Sequence, residues 1–149
     1  MTQKPLYEQQ YQNWLDSTII DEASKAELRS ISGDKAEVED RFYQDLEFGT
    51  AGLRGKIGAG TNRMNEYIIA RATDAFAKVI KSFGDEFAAK GVAIAYDCRL
   101  FSKEFSLTAA LVLASHGIKS YVFDALRPTP ELSFAIRRLG AAGGINVTA

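Results

Sequence analysis

Apolar residues recur along this chain with two different spacings, and the change from one to the other divides it. Over the first 48 residues the spacing is helical: Tyr7, Tyr11, Trp14 and Leu15 predict a first helix, and a second runs from about Glu22 to Ile31. Gly33 reads as a stop. Asp34 followed by Glu37 resembles a capping box that opens a third helix, with Val38 and Phe42 on one face. Between Phe48 and Gly60 five glycines interrupt any period, so this stretch is expected to be loop flanked by short strands.

Beyond it, Ile69, Ala72, Phe76, Val79, Ile80 and Phe83 predict an amphipathic helix ended by Gly84. Val92 to Tyr96 is an apolar run of strand length. Ser102 is the expected N-cap of a helix reaching about Ser115, and Gly117 its stop. Ile118 to Phe123 reads as the next strand. Thr129 as N-cap with Pro130 and Glu131 behind it opens a helix closed by Gly140, and Gly143 to Val147 is a last strand.

Strands alternating with helices make βαβ units. The expected fold is therefore α/β, a three-layer α/β/α arrangement around a mainly parallel, mixed sheet, with residues 1–47 as a helical N-terminal arm and 48–149 as the main domain. Ligands of such sheets gather at the carboxyl ends of the strands. Those ends are Asp97-Cys98-Arg99, Asp124 to Arg127, and Thr148-Ala149.

Composition narrows the class. A chain of 149 residues with 46% hydrophobic and 25% charged side chains can bury a core as one ordinary domain. The lone Cys98 cannot form an internal disulfide, the start lacks the apolar run of a signal peptide, and Leu107 to Ala114 is too short to span a bilayer. A cytoplasmic protein without a membrane partner is expected. The net charge of -1 conceals an uneven distribution: residues 1–48 carry eleven acidic and five basic side chains, and 49–149 carry eight and thirteen. A basic body suits an anionic ligand, although solvated helices produce such unevenness too. No basic stripe with interleaved aromatics points to nucleic acid.

Phe48-Gly49-Thr50-Ala51-Gly52-Leu53-Arg54-Gly55-Lys56 sets small residues around one arginine. Glycines let backbone N–H groups approach an anion, and a guanidinium can hold two phosphate oxygens; the stretch reads as a phosphate cradle or as a plain hairpin with an exposed arginine. It is not a P-loop, because five residues rather than four separate Gly49 from Gly55 and Ile57 follows Lys56. Asp97-Cys98-Arg99 fits neither an aspartate phosphatase, which would need a second Asp at Arg99, nor a cysteine phosphatase, which would need an Arg at Glu104. Either Arg99 faces the anionic site or Asp97 and Arg99 form a structural ion pair. His116 sits where the dipole at a helix C-terminus favours positive charge. No cluster of His, Cys, Asp or Glu has metal-ligand spacing.

Phe48 to Gly55, taken with Tyr96-Asp97-Cys98-Arg99-Leu100-Phe101-Ser102, with Arg127-Pro128-Thr129-Pro130-Glu131-Leu132 and with the final Gly144-Ile145-Asn146-Val147-Thr148-Ala149, resembles the α-D-phosphohexomutases of the phosphoglucomutase/phosphomannomutase family. The resemblance runs in order over almost the whole chain. It implies the first of four domains, incomplete at its C-terminus and ending just before the family's phosphoserine in the Thr-Ala-Ser-His-Asn-Pro loop. It implies an enzyme that moves a phosphoryl group between the 1- and 6-positions of a hexose through that serine and a sugar bisphosphate.

On this resemblance Arg54 takes the catalytic arginine role. Thr50, Gly52, Arg54 and Gly55 bind phosphate, Thr148 and Ala149 lead into the active-site loop, and Asp97 and Arg99 support it. Hexose phosphate is the implied substrate and the remaining domains are the implied partners. Mg²⁺ would be held mostly by residues outside this chain, and glucose 1,6-bisphosphate would act as activator and intermediate. With the serine, the metal loop and the sugar loops absent, residues 1–149 alone are expected to be inactive; the alternative is a short phosphate-binding or interaction protein without catalysis.

Overall fold

A computed structural model describes residues 5–50 and 52–148. The chain forms two compact units, 1–68 and 69–149.

The first unit is built on α1 (Leu6–Asp16), α2 (Glu22–Ser30) and α3 (Lys35–Phe42), followed by two short strands, β1 (Phe48–Gly49) and β2 (Gly52–Leu53). Its core is Leu28, Val38, Phe42 and Ala59. Tyr11 and Trp14 present their edges to Phe42 at 5.8 and 5.7 Å between ring centroids, and the Tyr11 hydroxyl donates to the Leu28 carbonyl at 3.0 Å. The Asp34 carboxylate accepts from the Glu37 N–H at 3.1 Å, as a capping box begins. Glu37, however, turns to Arg41 Nε at 2.8 Å, so the box is formed on one side.

Within this unit residues 56–65 fold back onto the helices. Asn62 N–H donates to the Arg41 carbonyl at 2.9 Å, Thr61 Oγ1 to Gln44 O at 2.8 Å, and Asn65 Nδ2 to the carbonyls of Gly58 and Gly60, both at 2.9 Å. Gly60 has φ +134, and a Cβ there would stand 2.9 Å from the Arg41 carbonyl oxygen, so only glycine permits this approach.

Asp21 caps α2, accepting from the Ser24 hydroxyl at 2.6 Å and the Ser24 N–H at 2.9 Å, while the Tyr67 hydroxyl donates to it at 2.8 Å. The Ser24 hydroxyl, then the Ser24 N–H, lower its pKa to about 2, Tyr67 adding to them against the opposing effect of burial. A carboxyl group with a folded pKa below its unfolded value of about 3.9 stabilises above pH 4 and loses that contribution as pH falls toward 2. Asp21→Ala is therefore expected to cost about 1 kcal/mol at pH 7, and the gap to wild type should close by pH 2 in urea titrations at the two pH values. A gap that persists unchanged in acid would refute the assignment.

The second unit holds most of α4 (Glu66–Ser82), then α5 (Asp85–Ala88), β3 (Val92–Tyr96), α6 (Ser102–Ser115), β4 (Ser120–Val122), α7 (Thr129–Leu139) and β5 (Gly143–Val147). The strands form a parallel sheet in the order β4-β3-β5, with Val92 opposite both Ser120 and Gly143. β3 is central and buried throughout. Strand alternation sends Val92 and Ile94 to one face, where they meet Ala77 and Ile80 of α4 and Ala109 and Leu113 of α6. Ala93 and Ala95 face the other way, onto Leu132 and Ile136 of α7.

The unit is thus the expected α/β fold with helices on both faces of the sheet. Among the described residues the one antiparallel pair is β1 with β2, outside this sheet. Two consecutive glycines of β5 make room for the helices: a Cβ on Gly143 would meet Phe76 of α4 at 3.2 Å, and one on Gly144 would meet Ile136 of α7 at 2.6 Å.

Some local expectations are corrected. On α4 the face toward the sheet includes Ile69, Thr73, Phe76, Ala77 and Ile80, whereas Val79 and Phe83 remain 54% and 69% exposed. The helix carries apolar residues around more than one stripe, and the stripe that holds Ala77 and Ile80 is the one buried in the cluster with Val92 and Ile94. Ser102 does not cap α6; Phe101 holds that position with φ 62. Thr129 lies inside α7, whose cap position is Pro128. β4 is shorter than the run Ile118 to Phe123. No helix among the described residues is long and apolar enough to cross a membrane.

Candidate functional site

The sequence-selected residues fall into two groups, one in each unit. In the first unit β1 and β2 pair antiparallel, Phe48 opposite Leu53 and Gly49 opposite Gly52, which leaves Thr50 at the exposed turn. Gly52 has φ +91, a conformation other residues reach only with strain. Arg54 follows directly after β2. It is exposed, and among the described residues its guanidinium makes no hydrogen bond or ion pair. Gly55 lies against Leu46, whose Cδ1 would be 2.8 Å from an added Cβ.

Other arginines of this unit contrast with it. Arg41 is bound by Glu27, Glu37 and the Ala59 carbonyl, and the buried Arg63 by Asp40, Glu37 and the Asn62 carbonyl. The hairpin therefore presents one guanidinium with its donors unengaged by these residues, which is the condition for binding an external anion through two oxygens.

In the second unit the exits of β3 and β5 are tied together. Asp97 Oδ1 accepts from the Arg99 N–H at 3.0 Å and from the Ser102 hydroxyl at 2.8 Å. Its Oδ2 accepts from the Thr148 hydroxyl at 2.5 Å and stands 3.7 Å from Arg99 Nε, while Arg99 Nη1 donates to Thr148 Oγ1 at 3.4 Å. Burial pushes the Asp97 carboxyl up, but the Thr148 hydroxyl, the Arg99 N–H, the Ser102 hydroxyl and the Arg99 charge outweigh it and hold the pKa below the ordinary aspartate value. Asp97 is thus an ionised acceptor at neutral pH rather than a base waiting for a proton.

The turn that delivers these donors includes Phe101, the one non-glycine residue with positive φ among the described residues. Such a conformation costs about 1 to 3 kcal/mol and persists only where its surroundings enforce it. Here Ser102 N–H bonds to Arg99 O at 3.1 Å, Phe105 N–H to Phe101 O at 2.9 Å, and the Phe101 ring lies 5.9 Å from that of Phe105.

The loop after β4 joins the same edge. Arg127 N–H donates to the Tyr96 carbonyl at 3.1 Å, and its side chain pairs with Glu131 at 3.1 Å and Asp124 at 3.6 Å. The Thr129 hydroxyl, instead of capping α7, accepts from Asn146 Nδ2 of β5 at 2.7 Å. His116 serves the scaffold: its Nε2 lies 2.8 Å from Asp74 Oδ1, joining the end of α6 to α4. Cys98 is exposed.

No three His, Cys, Asp or Glu side chains among the described residues are grouped to hold a metal ion. Ala149 and Ala51 lie outside the described residues.

The local part of the Asp97 arrangement is legible in sequence, since an aspartate accepting from the N–H two residues on is a common turn. The parts that sequence reasoning missed are the Ser102 hydroxyl as its partner and the bond to Thr148, 51 residues away.

A family model described as phosphoglucomutase/phosphomannomutase, alpha/beta/alpha domain I, matches residues 45–149. Among curated proteins, a phosphoglucomutase of Staphylococcus epidermidis is 39% identical over 137 residues, covering 92% of this chain and 24% of its own length. One of Staphylococcus haemolyticus is 41% identical over 111 residues, 74% of this chain and 20% of its own length. One of Staphylococcus aureus is 42% identical over 113 residues, 76% of this chain and 20% of its own length. The chain spans about a quarter of the length of the first of these relatives. No solved structure matches it significantly.

Proposed function

Because this chain belongs to the phosphoglucomutase/phosphomannomutase family, as its alpha/beta/alpha domain I, we propose that it supplies the phosphate-handling part of a phosphohexomutase. The reaction is the interconversion of hexose 1- and 6-phosphates. In its first half a phosphoserine gives up its phosphoryl group: the serine O–P bond breaks as the free sugar hydroxyl forms its own O–P bond, and the proton that hydroxyl loses ends on the released serine oxygen. The bisphosphate then reorients, and the second half returns the other phosphoryl group to the serine. Thr148 and Ala149 lead into the loop that carries this serine, and glucose 1,6-bisphosphate is both intermediate and activator.

Positioning and charge neutralisation make up most of the catalysis of phosphoryl transfer. Arg54 is assigned to the negative charge on the transferred group, with Thr50, Gly52 and Gly55 shaping the hairpin that presents it. The observation that carries this reading is the guanidinium of Arg54, exposed at the end of a glycine-bordered hairpin and unengaged by the described residues, in a chain of this family. Mg²⁺ belongs to the complete enzyme, with ligands mostly supplied by other segments, and the protein is cytoplasmic.

The test is an assay of the complete polypeptide that the gene encodes, converting glucose 1-phosphate to glucose 6-phosphate with the bisphosphate as primer. Turnover is expected from it and none from residues 1–149 alone. An inactive complete polypeptide would defeat the reading. If residues 1–149 alone bound hexose phosphate with micromolar affinity in calorimetry and without turnover, the non-catalytic phosphate-binding alternative would replace it.

A further inference from the structure

We propose that Asp97 is a positioning residue for phosphoryl transfer: anchored by the 97–102 turn, its carboxylate grips the Thr148 hydroxyl and so sets the direction in which the chain leaves β5. The inference rests on the mutase reading above and adds to it a residue and a manner of acting.

β5 is the last strand in the order β4-β3-β5 and is half-buried along its length. Its ladder with β3 ends at Tyr96 opposite Val147, followed by one further bond from Asp97 N–H to Val147 O at 3.2 Å. Beyond Val147 regular pairing no longer directs the chain. Thr148 is exposed, and the side-chain bonds that restrain it come from Asp97 and Arg99. The direction of the chain at Thr148 is therefore set by these two side chains, the shorter bond being to the Asp97 carboxylate.

That carboxylate is itself held. Both bonds to Oδ1 arise inside the turn, from Arg99 N–H and the Ser102 hydroxyl, and Ser102 is buried at the start of α6. The left-handed backbone at Phe101 brings Ser102 under Asp97, which places a strained residue beside the grip rather than elsewhere in the domain. With Oδ1 taken twice and Oδ2 shared between Thr148 and Arg99, Asp97 has no free position from which to exchange a proton with a substrate. Its action on the reaction is indirect, through Thr148.

The experiment uses the complete polypeptide and compares wild type with Asp97→Asn, Thr148→Val, Thr148→Ser and the double variant Asp97→Asn with Thr148→Val. Asp97→Asn and Thr148→Val should each lower kcat by about 10- to 100-fold with KM little changed, since misplacement of a reacting group by about 1 Å suffices for such losses. Thr148→Ser, which keeps the hydroxyl, should recover most of the loss. The double variant should be no slower than the worse single one, because both remove the same grip.

Amide protection at Ala93 to Tyr96 and the urea midpoint should be unchanged in Asp97→Asn, a pattern that general destabilisation would not give. Multiplicative losses in the double variant, or an active enzyme whose Asp97→Asn form keeps its kcat, would overturn this inference alone. An inactive wild type would overturn the mutase reading and the positioning role with it.

Discussion

Arg54→Ala in the complete polypeptide is expected to lower kcat for hexose phosphate interconversion by about 10²- to 10³-fold, which corresponds to about 3 to 4 kcal/mol of lost transition-state stabilisation. The size follows from removing one preorganised donor group from charge that develops in the reaction. Folding should be unaffected. Arg54 is exposed and bonded to no described side chain, and surface substitutions of this kind lie within about 0.5 kcal/mol of neutral.

The combination separates a binding role from a structural one, since a structural arginine would lose stability and activity together. Arg54→Lys keeps the charge but not the two-pronged donor geometry, and should fall between wild type and alanine. Steady-state kinetics beside urea denaturation read both quantities. Wild-type turnover in Arg54→Ala would remove the assignment.

The reverse pattern is expected at Arg63, with loss of stability about 2 to 4 kcal/mol on substitution by alanine. Its side chain is 3% exposed and donates to Asp40 Oδ2, to the Asp40 carbonyl at 3.2 Å, to the Asn62 carbonyl at 3.0 Å and to Glu37 at 3.4 Å. Removing one partner of a buried charged pair typically costs about 3 to 5 kcal/mol. The lower range applies here because Asp40 and Glu37 are themselves partly exposed and water can take up some of the lost bonds.

Lys56→Ala is the internal control: its Nζ is 3.4 Å from the same Asp40 oxygen, but its side chain is 75% exposed, and the loss should stay below about 0.5 kcal/mol. Equal effects of the two substitutions on the denaturation midpoint would show that burial does not set the strength of this cluster.

Much of the scaffold could be read from residue order. Val92 to Tyr96 and Gly143 to Val147 are strands with the expected bounds, and Gly84, Gly117 and Gly140 mark ends of helical segments with positive φ. These succeed because short apolar runs and glycines at left-handed positions are local properties. The Phe48 to Gly55 stretch was legible as a glycine-bordered arginine, and its backbone is the hairpin that such a sequence allows. The face of α4 was not legible: Val79 and Phe83 belong to the helical period as well as Ile69 and Phe76 do, and the choice among overlapping stripes is made by close approach to β3, a long-range matter.

The amino-acid sequence by itself thus determines the alternation of strands and helices, the layered α/β class and the family, since periodicity, glycine positions and ordered motifs survive without knowledge of contacts. Only the tertiary structure decides which polar groups meet. Ser102 gives its hydroxyl to Asp97 instead of capping α6, Thr129 gives its acceptor to Asn146 instead of capping α7, and Thr148 reaches Asp97 across 51 residues. Local rules name a hydroxyl's nearest partner, but once β3 and β5 lie side by side the sheet offers a second one, and a buried or half-buried carboxylate gathers whatever donors the fold brings within reach.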